Sequence, residues 1–208
     1  MPISRRRLLT AAGLLLASGS APAALLPATP RQSAGPFYPD DYPLDDDNDL
    51  VHVRGRSQPA MGQITDLRGR LLDRNGQPLR DTRIEIWQCD ANGRYRHSRD
   101  PGRGAIDAGF QGLGHANTDD AGRYRFLTIR PVPYPGRTPH IHVLVQTLDE
   151  RPFVTQLYVE GETRNAEDFL YQRIPVERRR LVTVPFATRP DSDHLHAQWD
   201  IVLGESRG

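Results

Sequence analysis

The chain has 208 residues, with 27 basic side chains against 26 acidic ones, and every basic residue is arginine. That length fits one ordinary domain, and a hydrophobic share of 37% supplies one core but not a polytopic membrane protein. Arg5, Arg6 and Arg7 stand in the first segment without an acid, so the remainder is slightly acidic; that argues against a nucleic-acid partner.

Residues 1–23 read as a targeting peptide. Ser4-Arg5-Arg6-Arg7-Leu8-Leu9 is a twin-arginine n-region, Leu8 to Ala17 a short apolar run, and Ala21-Pro22-Ala23 a small-x-small cleavage site. The pattern predicts export by the twin-arginine (Tat) route to the periplasm or beyond, a route that carries folded proteins. The apolar run falls short of the ~20 residues that cross a bilayer, so no permanent membrane span is expected. Residues 24–60, rich in Pro, Asp and Ala, read as an extended arm.

Residues 61–208 read as one β domain. Strands are expected at Gln63–Leu72, Thr82–Gln88, Arg123–Ile129, His140–Gln146, Phe153–Val159, Leu181–Phe186 and Gln198–Leu203. Turn clusters such as Asp73-Arg74-Asn75-Gly76 and Asp119-Asp120-Ala121-Gly122 separate them. Glu167–Leu170 and Val176–Arg180 leave room for brief helical turns. The expected fold is all-β: an antiparallel β-sandwich with an extended N-terminal arm and few short helices. Cys89 is the single cysteine, so no intramolecular disulfide can hold this fold. It reads as a small buried hydrophobe, and Trp87 and Trp199 as large core residues.

The strongest chemical signal is Tyr134-Pro135-Gly136-Arg137-Thr138-Pro139-His140-Ile141-His142. In a strand, residues i and i+2 face one side, so His140 and His142 would present both imidazoles to one point. Two convergent imidazoles suit a transition metal. His194-Leu195-His196 has the same spacing but follows Asp191-Ser192-Asp193 without aromatic or ligand-type neighbours, and reads as a solvated strand entry. Tyr134, on a Pro-bracketed loop, and Tyr95, after a strand, add two phenols. With an ordinary pKa near ~10, a phenol becomes an anionic ligand only on a strongly Lewis-acidic ion, a demand that trivalent iron meets better than zinc.

Further landmarks are Gly35-Pro36-Phe37-Tyr38-Pro39, Glu85-Ile86-Trp87-Gln88, Gly93-Arg94-Tyr95, Phe110-Gln111-Gly112, Thr155-Gln156-Leu157-Tyr158 and Trp199-Asp200-Ile201-Val202-Leu203. In this order they resemble the intradiol ring-cleaving dioxygenases, particularly the protocatechuate 3,4-dioxygenase type, over nearly all of the chain beyond the targeting segment. The resemblance implies one non-haem Fe(III) per chain, held by Tyr95, Tyr134, His140 and His142, with Tyr134 and His142 axial. It implies a catechol-type substrate that chelates the iron and releases Tyr134, and cleavage by O2 between the two hydroxylated carbons to a muconate-type diacid. On the same resemblance Arg137 stabilises the anionic, ketonised substrate, and Gln156 hydrogen-bonds substrate or oxygen.

Two departures bear on what the resemblance carries. The stretch from Tyr134 to His140 lacks the longer Trp-bearing insertion of protocatechuate-cleaving β chains, and the helical N-terminal region of catechol 1,2-dioxygenases, with its lipid-bridged dimer, is absent. Assembly is expected as a homo-oligomer or with a related chain. The rival from another class is a non-catalytic transthyretin-like β-sandwich binding module, which has no need of the Tyr, Tyr, His, His set.

Overall fold

Alternation sets the strands and decides which face of each carries chemistry. The computed structural model describes residues 24–40, 45, 47–146 and 151–204, so the targeting segment 1–23 lies outside the described residues. In chain order the strands are β1 (Ile64–Leu72), β2 (Arg83–Trp87), β3 (Leu113–Asn117), β4 (Arg123–Ile129), β5 (His140–Val145), β6 (Phe153–Val159), β7 (Thr183–Val184), β8 (Ala187–Arg189), β9 (Ser192–Gln198) and β10 (Ile201–Val202). A single helical turn, α1 (Phe169–Gln172), and 3-10 turns at Thr163–Ala166 and Val176–Leu181 lie between β6 and β7.

Two sheets form. In the first, β1 is central: β4 pairs along one edge, while β9 and then β10 pair along the other, with β8 outside β9. The second runs β3-β2-β5-β6-β7. The sandwich matches expectation, but uniform antiparallel pairing does not. β1 pairs β9 and β10 in parallel, and β6 pairs β7 in parallel. Parallel neighbours need a crossover connection, and the segment holding the helical turns supplies one between β6 and β7. Such pairings join residues far apart in sequence, so local pattern could not show them.

Strands β3, β8 and β9 were not expected. β3 carries Gly114 and Asn117, which are poor strand formers. β9 contains His194-Leu195-His196; rather than a solvated entry it is a full strand with Leu195 and Ala197 buried. β9 and β10 are interrupted at Trp199-Asp200, where Gly69 of β1 comes so close that a Cβ there would lie 1.6 Å from the Trp199 carbonyl oxygen. Only glycine fits that crossing.

Between the sheets lies the main core. Leu67, Leu71, Phe126, Ile129 and Trp199 meet Ile84, Ile86, Ile141, Val143, Val145 and Leu157. On β5 the odd-numbered residues point into this core, which turns His140 and His142 to the opposite face, as their spacing predicts. There a second, smaller cluster forms from Trp87, Cys89, Tyr95 and Leu113, with Ala34, Phe37 and Tyr38 packed against it. Trp87 therefore belongs not to the main core but to the outer layer over β5. The arm is tied down over this face: Gln32 N–H donates to the Val154 carbonyl (2.8 Å), and Tyr38 Oη donates to Glu85 Oε2 (2.8 Å).

Candidate metal centre

Three separate segments bring the predicted residues together. β5 contributes His140 and His142, each almost wholly buried. Tyr134 and Arg137 come from a tight turn in which Arg137 N–H donates to the Tyr134 carbonyl (3.0 Å) and Gly136 takes φ +81°. That left-handed geometry costs glycine little. The turn sets the Tyr134 and Arg137 side chains side by side, with Arg137 Nη1 3.4 Å from the Tyr134 hydroxyl. Tyr95 rides on a loop braced by two aspartates. Asp90 Oδ1 accepts from Asn92 N–H (2.8 Å) and Arg94 N–H (2.9 Å), and Asp100 Oδ2 accepts from Arg94 Nε (2.8 Å) and Tyr95 N–H (2.9 Å).

Four rings converge. Tyr95 and Tyr134 meet edge to face at 5.2 Å, Tyr134 lies 5.5 Å from His140, and Tyr95 lies 6.2 Å from His142. The two imidazole Nε2 atoms are 3.0 Å apart. His140 Nδ1 is 2.6 Å from the Thr138 carbonyl. A carbonyl only accepts, so Nδ1 carries the proton and Nε2 keeps its lone pair turned into the cluster. Burial, reinforced by the Arg137 charge, pushes the His140 pKa down to about 3. Burial also pushes His142 well below its ordinary value, with His140 and Arg137 adding to the effect. Both rings are thus neutral at pH 7, the form in which imidazole binds metals.

The remaining polar atoms are poorly satisfied by protein alone. The buried Tyr95 hydroxyl and His142 Nδ1 have no hydrogen-bond partner. An unpaired buried polar group costs about 1–3 kcal/mol, so their persistence marks a site shaped for something other than protein. Burial drives the Tyr95 pKa well above that of an ordinary phenol, and it raises that of Tyr134 against the opposing pull of Arg137. Among the described residues no group of three His, Cys, Asp or Glu side chains could hold a metal ion. Two imidazoles and two phenols make the donor set here, and that set fits a hard trivalent cation, which lowers phenol pKa values by its own charge.

Arg137 and Gln156 complete the arrangement. Arg137 Nη2 donates to Gln156 Oε1 (2.6 Å), while Gln156 Nε2 donates to the Ser33 carbonyl of the arm (2.9 Å). The Gln156 amide therefore sits behind the guanidinium and fixes it. Gln156 lies directly across from His142 in the β5–β6 ladder. Solvent reaches Tyr134 and Arg137 through an open groove of about 670 Å³ that Pro133, Arg164, Glu167 and Asp168 also line.

Sequence reasoning missed three contributors. Trp87 stacks face to face on His142 (4.8 Å between centroids, 7° between planes), because β2 places it opposite His142. Phe37 of the arm stacks on Tyr95 at 4.9 Å. Asp168 accepts from Arg137 Nε at 2.7 Å. An aspartate just before a helical turn is a recognisable N-cap signal, but its partner on another loop is not written locally. His194 and His196 lie on β9 of the other sheet, away from this cluster.

Known proteins share both the pattern and the fold. A family model described as a dioxygenase matches residues 33–205. The chain is 36% identical over 185 residues to the protocatechuate 3,4-dioxygenase beta chain of Burkholderia cepacia, covering 83% of this chain and 78% of that one. It is 33% identical over 196 residues to a hydroxyquinol 1,2-dioxygenase of Corynebacterium glutamicum, covering 81% of this chain but only 61% of that longer protein. Among solved structures, the dioxygenase domain of a dioxygenase–carbohydrate-binding protein fusion from Streptomyces sp. SirexAA-E superposes with a TM-score of 0.64 at 29% identity, over 86% of this chain and 99% of that one. With its sandwich, its converging tyrosines and histidines and a match spanning both, the chain belongs to the intradiol ring-cleaving dioxygenases.

Proposed function

We propose that Tyr95, Tyr134, His140 and His142 hold one non-haem Fe(III) per chain, at which a catechol-type ring is cleaved by O2 between its two hydroxylated carbons to a muconate-type diacid. The observation that carries this reading is the convergence of two neutral imidazoles, with Nε2 atoms 3.0 Å apart, on a buried and partnerless Tyr95 hydroxyl. When bound, the ferric ion supplies a Lewis-acidic centre that catecholate oxygens can chelate and that activates the ring toward O2.

The chain's own groups do the rest. Arg137 places a permanent positive charge beside Tyr134 Oη and the open groove, where it stabilises negative charge developing on substrate. The same charge eases formation of a phenolate at Tyr134, whose oxygen is then placed to take up a proton from a catechol hydroxyl. Gln156 holds the guanidinium, and the arm braces the site from behind, with Phe37 stacked on Tyr95 and the Ser33 carbonyl accepting from the Gln156 amide. The binding-module alternative is not favoured, because family similarity spans residues 33–205 and the site residues with them.

The finer substrate reading is protocatechuate-like, since the beta chain of such an enzyme aligns over the larger share of its own length. Pairing with a related chain, or with itself, is part of the same proposal; relatives named as alpha and beta chains support it. The twin-arginine segment supports export to the periplasm or beyond.

The test is the visible spectrum and iron content of the aerobically purified chain. A broad tyrosinate-to-iron(III) band with about one iron per chain, shifting on addition of catechol, is expected; O2 uptake with protocatechuate, catechol and hydroxyquinol then ranks substrates. A protein that stays colourless after iron reconstitution would refute the ligand set.

A further inference from the structure

Arg137 is buried, and its guanidinium is gripped on two sides. Nη2 is held by Gln156 and Nε by Asp168 (2.7 Å), which leaves Nη1 as the edge that reaches the Tyr134 hydroxyl. Asp168 is itself immobilised. Its side chain is fully buried, Oδ2 also accepts from Thr138 N–H (3.0 Å), and Oδ1 caps α1 by accepting from Leu170 N–H (3.0 Å) and Tyr171 N–H (2.9 Å). Next to it, Phe169 places its ring 5.6 Å from the guanidinium carbon on the solvent side.

We infer that Asp168 is a positioning residue for the ring-cleavage reaction: through Nε it aims Arg137 so that Nη1 faces Tyr134 and the substrate groove. A guanidinium can rotate about its long stem, and a carboxylate fixed by three backbone N–H groups removes that freedom before substrate arrives. Because the carboxylate also takes Thr138 N–H, one group sets both the arginine and the start of the strand that carries His140 and His142. Both carboxylate oxygens are buried and taken up by Arg137 and by backbone N–H groups, so the effect of the aspartate passes through Arg137. This inference rests on the function proposed above, and its test separates the two.

Asp168→Asn is the informative change. It is isosteric, and its amide oxygen can still cap α1, but its NH2 group then faces the Arg137 Nε–H and Thr138 N–H donors. The iron-loaded variant should keep its iron content and visible band. It should lose roughly 10- to 100-fold in kcat with KM little changed, the size of a lost charge-assisted hydrogen bond acting on charge that develops during reaction. Asp168→Glu keeps the charge but displaces it by a methylene, and should fall between wild type and Asp168→Asn. In an Arg137→Met background, Asp168→Asn should cost nothing further in kcat. A readout independent of turnover uses the full chain loaded with diamagnetic Ga(III). There the Arg137 Nε–H proton should exchange slowly in the wild type and fast in Asp168→Asn.

Wild-type kcat in either Asp168 variant would overturn the inference. So would loss of iron from Asp168→Asn, or additive losses in the Arg137→Met background. A wild-type chain that binds no iron and consumes no O2 would instead sink the proposed function, while the same exchange measurement made on the metal-free chain, where the Asp168–Arg137 bond is already formed, still decides whether Asp168 holds Arg137.

Discussion

Two buried tyrosines should respond oppositely to loss of a single oxygen atom. Tyr95 and Tyr124 are both almost wholly buried, and burial raises both phenol pKa values well above normal. They differ in partners: Tyr124 Oη donates to the Trp199 carbonyl at 2.6 Å, whereas Tyr95 Oη has none. In the metal-free chain, Tyr95→Phe removes an unsatisfied buried hydroxyl and should stabilise the fold by about 1–3 kcal/mol. For a domain of this size that is a rise in Tm of roughly 2–12 °C. Tyr124→Phe takes the hydroxyl donor away from the Trp199 carbonyl and should cost about 1–3 kcal/mol, a fall of roughly 2–12 °C. After iron reconstitution the sign at Tyr95 should reverse, with weaker iron retention and loss of charge-transfer intensity. Calorimetry of both variants, without metal and with iron, checks this. A metal-free Tyr95→Phe that melts below wild type would show that its hydroxyl is satisfied, and the argument for a preformed cation site would fail.

Acidification should unfold the metal-free chain earlier than its carboxylates alone would dictate. The folded-state pKa of His140 is down to about 3 and that of His142 lies well below its ordinary value, so below about pH 6.5 the unfolded chain binds protons that the folded chain refuses. Stability is present above that pH and is lost on lowering it, by about 1.4 kcal/mol per pH unit for each histidine, so a urea midpoint flat from pH 7 to 4 would refute it. Asp66 adds loss only in a lower window. Burial alone would raise its carboxyl, but the guanidiniums of Arg68 and Arg125 bring it down to about 2, so its contribution fades between about pH 4 and 2. Gly69→Ala should cost more than about 3 kcal/mol or abolish folding, because its methyl would occupy the space of the Trp199 carbonyl; soluble expression with wild-type Tm would contradict this. Replacing His194 and His196 together by Gln should leave iron content and the visible band unchanged, and iron loss measured by metal analysis would show the site misplaced.

How much of this was legible without coordinates depends on the range over which each feature is written. The His140-Ile141-His142 spacing specifies one face of a strand, because side chains alternate across the pleat, and the structure confirms that both imidazoles leave the core on that face. The Tyr134–Arg137 pairing is nearly as local, since a turn with Gly136 at positive φ joins them. Strand positions with alternating apolar residues were also readable, whereas β3 and β9 were not: β3, with its Gly, His and Asn, is an edge strand paired with β2, and β9, with its two His, is completed by β1 and β8 on either side. The resemblance gives Gln156 a hydrogen bond to substrate or oxygen; what the structure adds is that its amide lies between Arg137 and the arm, a placement that follows from the β5–β6 register.

The sequence by itself thus determined the sandwich class, the family and the four converging aromatic donors, because alternation, turn chemistry and motif order are short-range properties of the chain. Tertiary structure alone decided the parallel edges, the stacking of Trp87 on His142, the arm's Phe37 over Tyr95 and the grip of Asp168 on Arg137. Each of these joins segments whose relative position is set by ladder register and by burial of a shared face. Those are cooperative outcomes of packing the whole domain, and no single stretch of residues encodes them.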